Sequence, residues 1–216
     1  MRAMVCTRYG PPEVLELQQL NKPVPKAGEI LIKVHASTVT AGDCEIRSFK
    51  FPVLLWIPLR LFFGLRKPKV NVLGQEFAGE VEALGSGQTL FKKGDRVYGA
   101  TGLKLGAYAE YLCLSGSSAI AQIPEAIGFE EAATIPTGGM NALFFLQKAK
   151  IQADHKVLVI GAGGSIGTVA VQLAKHAGAE VTAIDSKEKI GHALIHWCRP
   201  CLGLPAGRFY GNWRKL

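Results

Sequence analysis

Cysteine is scarce: 5 in 216 residues, an odd number, which excludes a disulfide scaffold and fits a reducing compartment. Aromatics make up only 8% and charged residues 19%. No basic start followed by an apolar stretch marks a signal peptide, so a cytoplasmic chain is expected. No apolar run reaches the roughly 20 residues of a membrane span. The nearest candidate, FPVLLWIPLRLFFGL at residues 51–65, is interrupted by Pro52, Pro58 and Arg60 and reads as a buried or interfacial segment. No membrane partner is expected. Acid is absent from residues 190–216, whose Arg199, Arg208, Arg214 and Lys215 supply +4 of the formal +8. The other +4 reads as spread over residues 1–189 without a basic stripe, which argues against nucleic-acid binding.

What is present is enough apolar sequence (48%) for a sizeable core, with 25 Gly but no Gly-X-Y period. Alternation over residues 29–39 predicts a strand, with Ile30, Ile32, Val34 and Ala36 on one face. Strands are also predicted over 3–8, 77–84, 96–98 and 108–114, separated by turns such as Gly85-Ser86-Gly87. Short strands at this spacing point to a partly closed β-barrel or sandwich. Beyond Pro124 the composition favours helix over 128–150, with breaks expected at Pro136 and at Gly138-Gly139.

KVLVI at residues 156–160 then reads as a strand covered on both faces. It runs into GAGGSIG, residues 161–167. Ile166, Val169, Ala170, Leu173, Ala174 and Ala177 share a helical face, Gly178 suits a helix stop, and residues 180–185 form a second strand. A strand, glycine turn and helix in this order place free N–H groups and the positive helix end where a pyrophosphate can sit. Gly161, Gly164 and Gly167 carry the spacing, Gly163 adds another glycine, and Ser165 and Ile166 open the helix. Asp185, 18 residues after Gly167, is placed to accept hydrogen bonds from adenosine ribose hydroxyls, the arrangement of a dinucleotide site. Asp185 favours NAD; Ser186, Lys187 and Lys189 favour the 2′-phosphate of NADP. The choice between the two stays open.

With VLGQEFAGEVEALGSG, FKKGDRVYG, AYAEYL, AATIPTGGMNAL and VLVIGAGGSIGTVAVQLAKHAGAEVTAID in order, residues 1–189 resemble the medium-chain dehydrogenase/reductase superfamily, in its zinc-independent quinone-oxidoreductase-like branch. The resemblance implies a GroES-like catalytic domain over residues 1–125, and the first part of a Rossmann domain over 126–189. Cofactor and substrate would lie between the two. It implies NAD- or NADP-dependent hydride transfer to a small apolar carbonyl or quinone, and a homodimer in intact relatives. Thr40, Asp43, Gln75 and Glu76 match cleft positions, with Thr40, Asp43 and Glu76 the catalytic candidates. Thr137 matches a position beside the nicotinamide. No general acid is identified, so the proton would come from Thr40 or from water. Zinc-dependent relatives carry Cys where Thr40 stands and a Gly-His-Glu motif where Gly74-Gln75-Glu76 stands. They also carry a four-Cys loop, absent between Tyr98 and Tyr108. No zinc is expected. A non-catalytic dinucleotide-binding protein on the same fold is the alternative. The 51–65 run could border the substrate site, pack, or meet a second subunit.

Residues 190–216 depart from the family. Cys198 and Cys201 make a single CxxC, weak as a zinc signal. Back-translated with freely chosen codons and with one A removed after Lys189, the tail reads KLDMLSFIGADHVLDY and then PQEDFTEIGESY. A reading-frame shift at Lys189 is therefore expected, and an intact single frame in the gene would overturn it. Two strands of a doubly wound sheet would remain, with open edges and an uncovered apolar face. Marginal stability and weak or absent cofactor affinity follow from that.

Overall fold

The computed structural model describes residues 1–189 and the backbone of residues 201–204. The chain divides into two compact units, Met1–Pro136 and Thr137–Leu216.

The first unit is built on two antiparallel sheets. β1 (Arg2–Cys6) pairs with β2 (Leu15–Gln19). The larger sheet contains β3 (Glu29–Ser37), β4 (Glu76–Leu84), β5 (Arg96–Ala100), β6 (Tyr111–Ser115) and β7 (Ile120–Gln122), in the order β6-β3-β4-β5-β7. Single bridges, Ala3 to Ala109 and Val5 to Val72, link β1 to loops of the unit. The ring of strands stays open among the described residues, in keeping with a partly closed barrel. Ile30, Ile32, Phe77, Val81, Val97, Leu112 and Leu114 fill its core. The strict alternation expected along β3 fails at one point. The β3–β4 register shifts between Leu31 and Ile32, and Leu31 is buried along with both neighbours.

Two helices lie between β3 and β4: α1 (Ala41–Ser48) and α2 (Val53–Phe63). None of the residues of the second is buried, which rules out the buried alternative expected for this segment and leaves the interfacial one. A third, α3 (Phe129–Ala133), seats Ala132 and Ala133 against Ala78 and Ile123.

The second unit opens with α4 (Pro136–Lys148). Its Pro136 is tolerated at the first helical position, and the break expected at Gly138-Gly139 does not occur. A Cβ on Gly138 would lie 2.4 Å from Ser165 Oγ, so the glycine serves a close approach of two helix starts. β8 (Lys156–Ile160), α5 (Ser165–His176) and β9 (Glu180–Ser186) form the expected β-α-β unit with parallel strands. α5 buries Gly167, Val171 and Ala174; of the expected face Ala174 is buried and Val169, Ala170 and Leu173 are half-buried, while Ile166, 41% exposed, and Ala177 turn outward. The helix rotates toward Gly167 because that glycine lets it settle closest to the turn. Gly178 (φ +83°) ends α5 as expected. Ala179 N–H donates to Ala174 O and Gly178 N–H to Lys175 O, a Schellman closure.

β8 is not covered on both faces as expected. Leu158 and Ile160 are 48% and 52% exposed, in accord with the uncovered apolar face foreseen for the short sheet. A third strand, β10 (Cys201–Leu204), lies parallel beside β9, giving the order β10-β9-β8 where two strands were expected. The rest of the 190–216 segment, Cys198 included, lies outside the described residues.

Candidate functional site

In the second unit the site grows from the turn after β8. Gly161 N–H and Ala162 N–H both donate to Ile184 O, at 2.8 and 3.1 Å, which ties the turn to the end of β9. Gly161 has φ +77°, and a Cβ on Gly167 would lie 2.2 Å from Gly161 O, so only glycine lets the helix start so near the turn. Thr168 N–H, donating to Gly164 O, begins the helical ladder. The amides of Ser165 and Ile166 therefore precede any intrahelical acceptor, and both residues are exposed. Open space at Gly161, and only Gly161 O within 4 Å of a Cβ at Gly164, leave this helix mouth accessible. A pyrophosphate fits such a mouth on charge and on donors.

Asp185 is buried, and its carboxylate is already engaged. Oδ2 accepts from Gly163 N–H at 2.8 Å and Oδ1 from Ser186 N–H at 2.7 Å. Each oxygen keeps a lone pair for a ribose hydroxyl. The acid thus also positions the loop, a role the sequence reading missed. Lys189 stands on the same side: a Cβ on Gly163 would lie 2.8 Å from the Cβ of Lys189. Lys187 and Lys189 are both exposed. Thr137 is brought to the loop through its neighbour Gly138, which abuts Ser165, and its carbonyl accepts from Asn141 Nδ2 at 2.8 Å.

In the first unit Thr40 and Asp43 do meet, as a capping box at the start of α1. Asp43 N–H donates to Thr40 Oγ at 3.1 Å; Thr40 N–H and Thr40 Oγ donate to Asp43 Oδ2 at 2.9 and 2.7 Å. Asp43 Oδ1 accepts from Gly74 N–H at 3.2 Å, and Asp43 is only 2% exposed. Gln75 reaches the same place, its amide 3.3 Å from where a Cβ on Gly42 would be. Glu76 is buried one residue on, where Thr38 Oγ donates to its Oε2. The hydroxyl of Tyr108 is buried nearby without a hydrogen-bond partner of normal geometry. Burial, and then the charge of Asp43, push this phenol well above the ordinary tyrosine range. Sequence reasoning missed Tyr108 and Thr38, since nothing in local spacing marks a contact made across the fold. Beside them an open, mainly apolar groove of about 450 Å³ is lined by Met4, Leu17, Val34, Val39 and Tyr108, with Arg2, His35, Ser37 and Glu110 also on its walls. Among the described residues no three His, Cys, Asp or Glu side chains gather as metal ligands.

An open β-domain followed in the chain by a glycine-loop β-α-β unit is the order of domains that the resemblance implied. The family model for the alcohol dehydrogenase GroES-like domain matches residues 26–125. Human quinone oxidoreductase is 33% identical over 194 residues, covering 88% of this chain and 54% of that protein. The NAD-dependent alcohol dehydrogenase of Saccharolobus solfataricus is 30% identical, covering 88% and 60%. The structure of the Coxiella burnetii quinone oxidoreductase superposes with a TM-score of 0.81 at 32% identity, over 94% of this chain and 62% of that one. Over most of its length the chain is similar to the quinone-oxidoreductase-like branch of the medium-chain dehydrogenase/reductase superfamily. It spans about half the length of the curated relatives it matches.

Proposed function

We propose that the chain is a zinc-independent oxidoreductase that uses a nicotinamide dinucleotide to reduce a small apolar quinone or conjugated carbonyl. The observation that carries this reading is the glycine mouth, where the exposed residues Ser165 and Ile166 open the helix and Asp185 at the tip of β9 holds the loop through Gly163 N–H. The Ser165 and Ile166 amides hold the diphosphate, and Gly161 and Gly164 keep the approach free of side chains. Asp185 orients the loop and offers its remaining lone pairs to the ribose. Its charge disfavours a 2′-phosphate, so NADH is the preferred partner. Thr137 flanks the loop from α4.

When bound, the reduced nicotinamide supplies the hydride. The groove beside Tyr108 is mainly apolar, with Arg2, His35, Ser37 and Glu110 among its lining, and suits an apolar acceptor with a carbonyl to hold. The Thr40 hydroxyl proton is already given to the Asp43 carboxylate, so the proton that completes reduction is drawn from water. Three strands give the adenine side a small platform, and affinity in this chain is weaker than micromolar.

Fluorescence titration with NADH and NADPH, followed by oxidation assays against a quinone and enone panel, tests the proposal. Saturable NADH binding is expected. Asp185→Asn keeps an acceptor for Gly163 N–H but removes the charge, and should move the NADPH-to-NADH affinity ratio up about tenfold, equivalent to about 1.4 kcal/mol. Absence of saturable binding overturns the reading. Binding without any oxidation replaces it with a non-catalytic dinucleotide-binding protein, which the engaged state of Thr40 and Asp43 favours as the second reading.

A further inference from the structure

α2 has its polarity reversed. Its one charged residue, Arg60, is turned inward, where the guanidinium lies 3.9 to 4.7 Å from the ring centres of Phe49, Tyr9 and Trp56. Arg60 also donates to Leu65 O at 2.6 Å. Phe63 packs on the same side, stacked on Phe51 beside the Leu73 cluster. The side chains turned out to solvent are apolar: Val53 is 90% exposed, Leu54 89%, Ile57 69% and Leu61 62%. A water-facing helix places charge outside and leucine inside, so this one is matched to an apolar medium. No carboxylate lies within the stretch of sequence that carries it. Residues 46–75 contain Arg47, Lys50, Arg60, Arg66, Lys67 and Lys69 and no acid, a concentration that the even spread of charge expected from the sequence overlooks. Lys50 and Arg66 to Lys67, all exposed, flank the two ends of the helix.

The geometry points to α2 as an in-plane anchor that lays its apolar face into the surface of an anionic lipid bilayer, with the flanking cations on the headgroups. Eleven residues make a helix of about 16 Å, too short to span a hydrocarbon core of about 30 Å. Among the described residues no helix is long and apolar enough to cross a membrane. Lying in the interface needs only an apolar face and basic flanks. That departs from the expectation of no membrane partner, which rested on the absence of a span. A second copy of the chain fits less well, since a twofold contact through this face would set one cationic rim against the other.

Flotation with vesicles of phosphatidylcholine alone, and of phosphatidylcholine mixed with phosphatidylglycerol, tests the anchor. Binding is expected to the anionic vesicles, weakening as salt rises. The charge-neutral pair Leu54→Ser and Ile57→Ser should lower vesicle affinity about tenfold or more while leaving the melting curve in place. Arg66→Ser with Lys67→Ser should flatten the salt dependence. No vesicle binding overturns the inference. So does binding that survives Leu54→Ser and Ile57→Ser, which would trace it to the cationic tail. Self-association in sedimentation that those two substitutions abolish, without lipid binding, assigns the face to a second copy.

Discussion

At the scale of single residues, Asp43 shows how much structure one carboxylate can hold. It closes both halves of the α1 cap and satisfies a buried backbone N–H from Gly74, 31 positions away in sequence. Asp43→Ala removes the cap, worth about 1 kcal/mol, and orphans a buried donor at about 1–3 kcal/mol. A loss of about 2–4 kcal/mol in urea-monitored stability is the expected outcome. Thr40→Ala should cost about 1 kcal/mol, and the double variant less than the sum, since both changes break one box. A fall in stability below about 1 kcal/mol for Asp43→Ala would mean that the carboxylate is spare for chemistry. The Thr-x-x-Asp spacing of this box was present in the sequence and is a known helix-start signature. Of its neighbours, Gln75 was placed there by the family resemblance, whereas Gly74 and Tyr108 were not legible as its partners, because only the packing of α1 against the β4 approach brings them in.

At the scale of elements, the β8-α5-β9 unit was the most legible part of the chain, since strand, glycine turn, helix and stop signal all act between near neighbours. The side on which α5 sits down was not legible. Both of its candidate faces are apolar, and the decision falls to the clearance at Gly167, a property of three-dimensional contact. Gly167→Ala would drive a Cβ to 2.2 Å from Gly161 O and 2.7 Å from Ala162 Cα, both backbone atoms that cannot swing aside. A loss of about 2–3 kcal/mol in the second unit is expected, together with loss of NADH binding. Gly164→Ala, whose nearest neighbour is Gly161 O at 3.3 Å, should cost less than half as much. Equal costs in parallel denaturation curves would show that clearance does not select the face. α2 was left between a buried and an interfacial reading for the opposite reason: its composition is that of a core element, and only exposure reveals that it is turned outward.

At the scale of the whole molecule, the buried acids of the first unit set its response to alkali. Burial pushes the Cys113 thiol from 9.0 up to about 11, with Glu29 adding to it. Burial likewise raises the Cys6 thiol and the Tyr9 and Tyr108 phenols. In each case the folded chain keeps a proton that the unfolded chain gives up. The contribution to stability is complete below the unfolded values, near pH 9, and is lost as pH rises through the folded ones. The melting temperature should therefore hold steady from neutral pH to about pH 8 and fall between about pH 9 and 11. Cys113→Ala should soften that fall, as followed by differential scanning calorimetry. A flat profile across the window would refute the assignment.

The sheet of the second unit finishes on β8 among the described residues, with Leu158 and Ile160 only half covered along it. A strand in that position presents a comb of backbone donors and acceptors with no neighbour across from them. Crowding molecules together invites those combs to interlock, and each docked backbone offers the next one a fresh seat. Handling the chain dilute and cold, or seating a lysine on that outer row, keeps the combs apart.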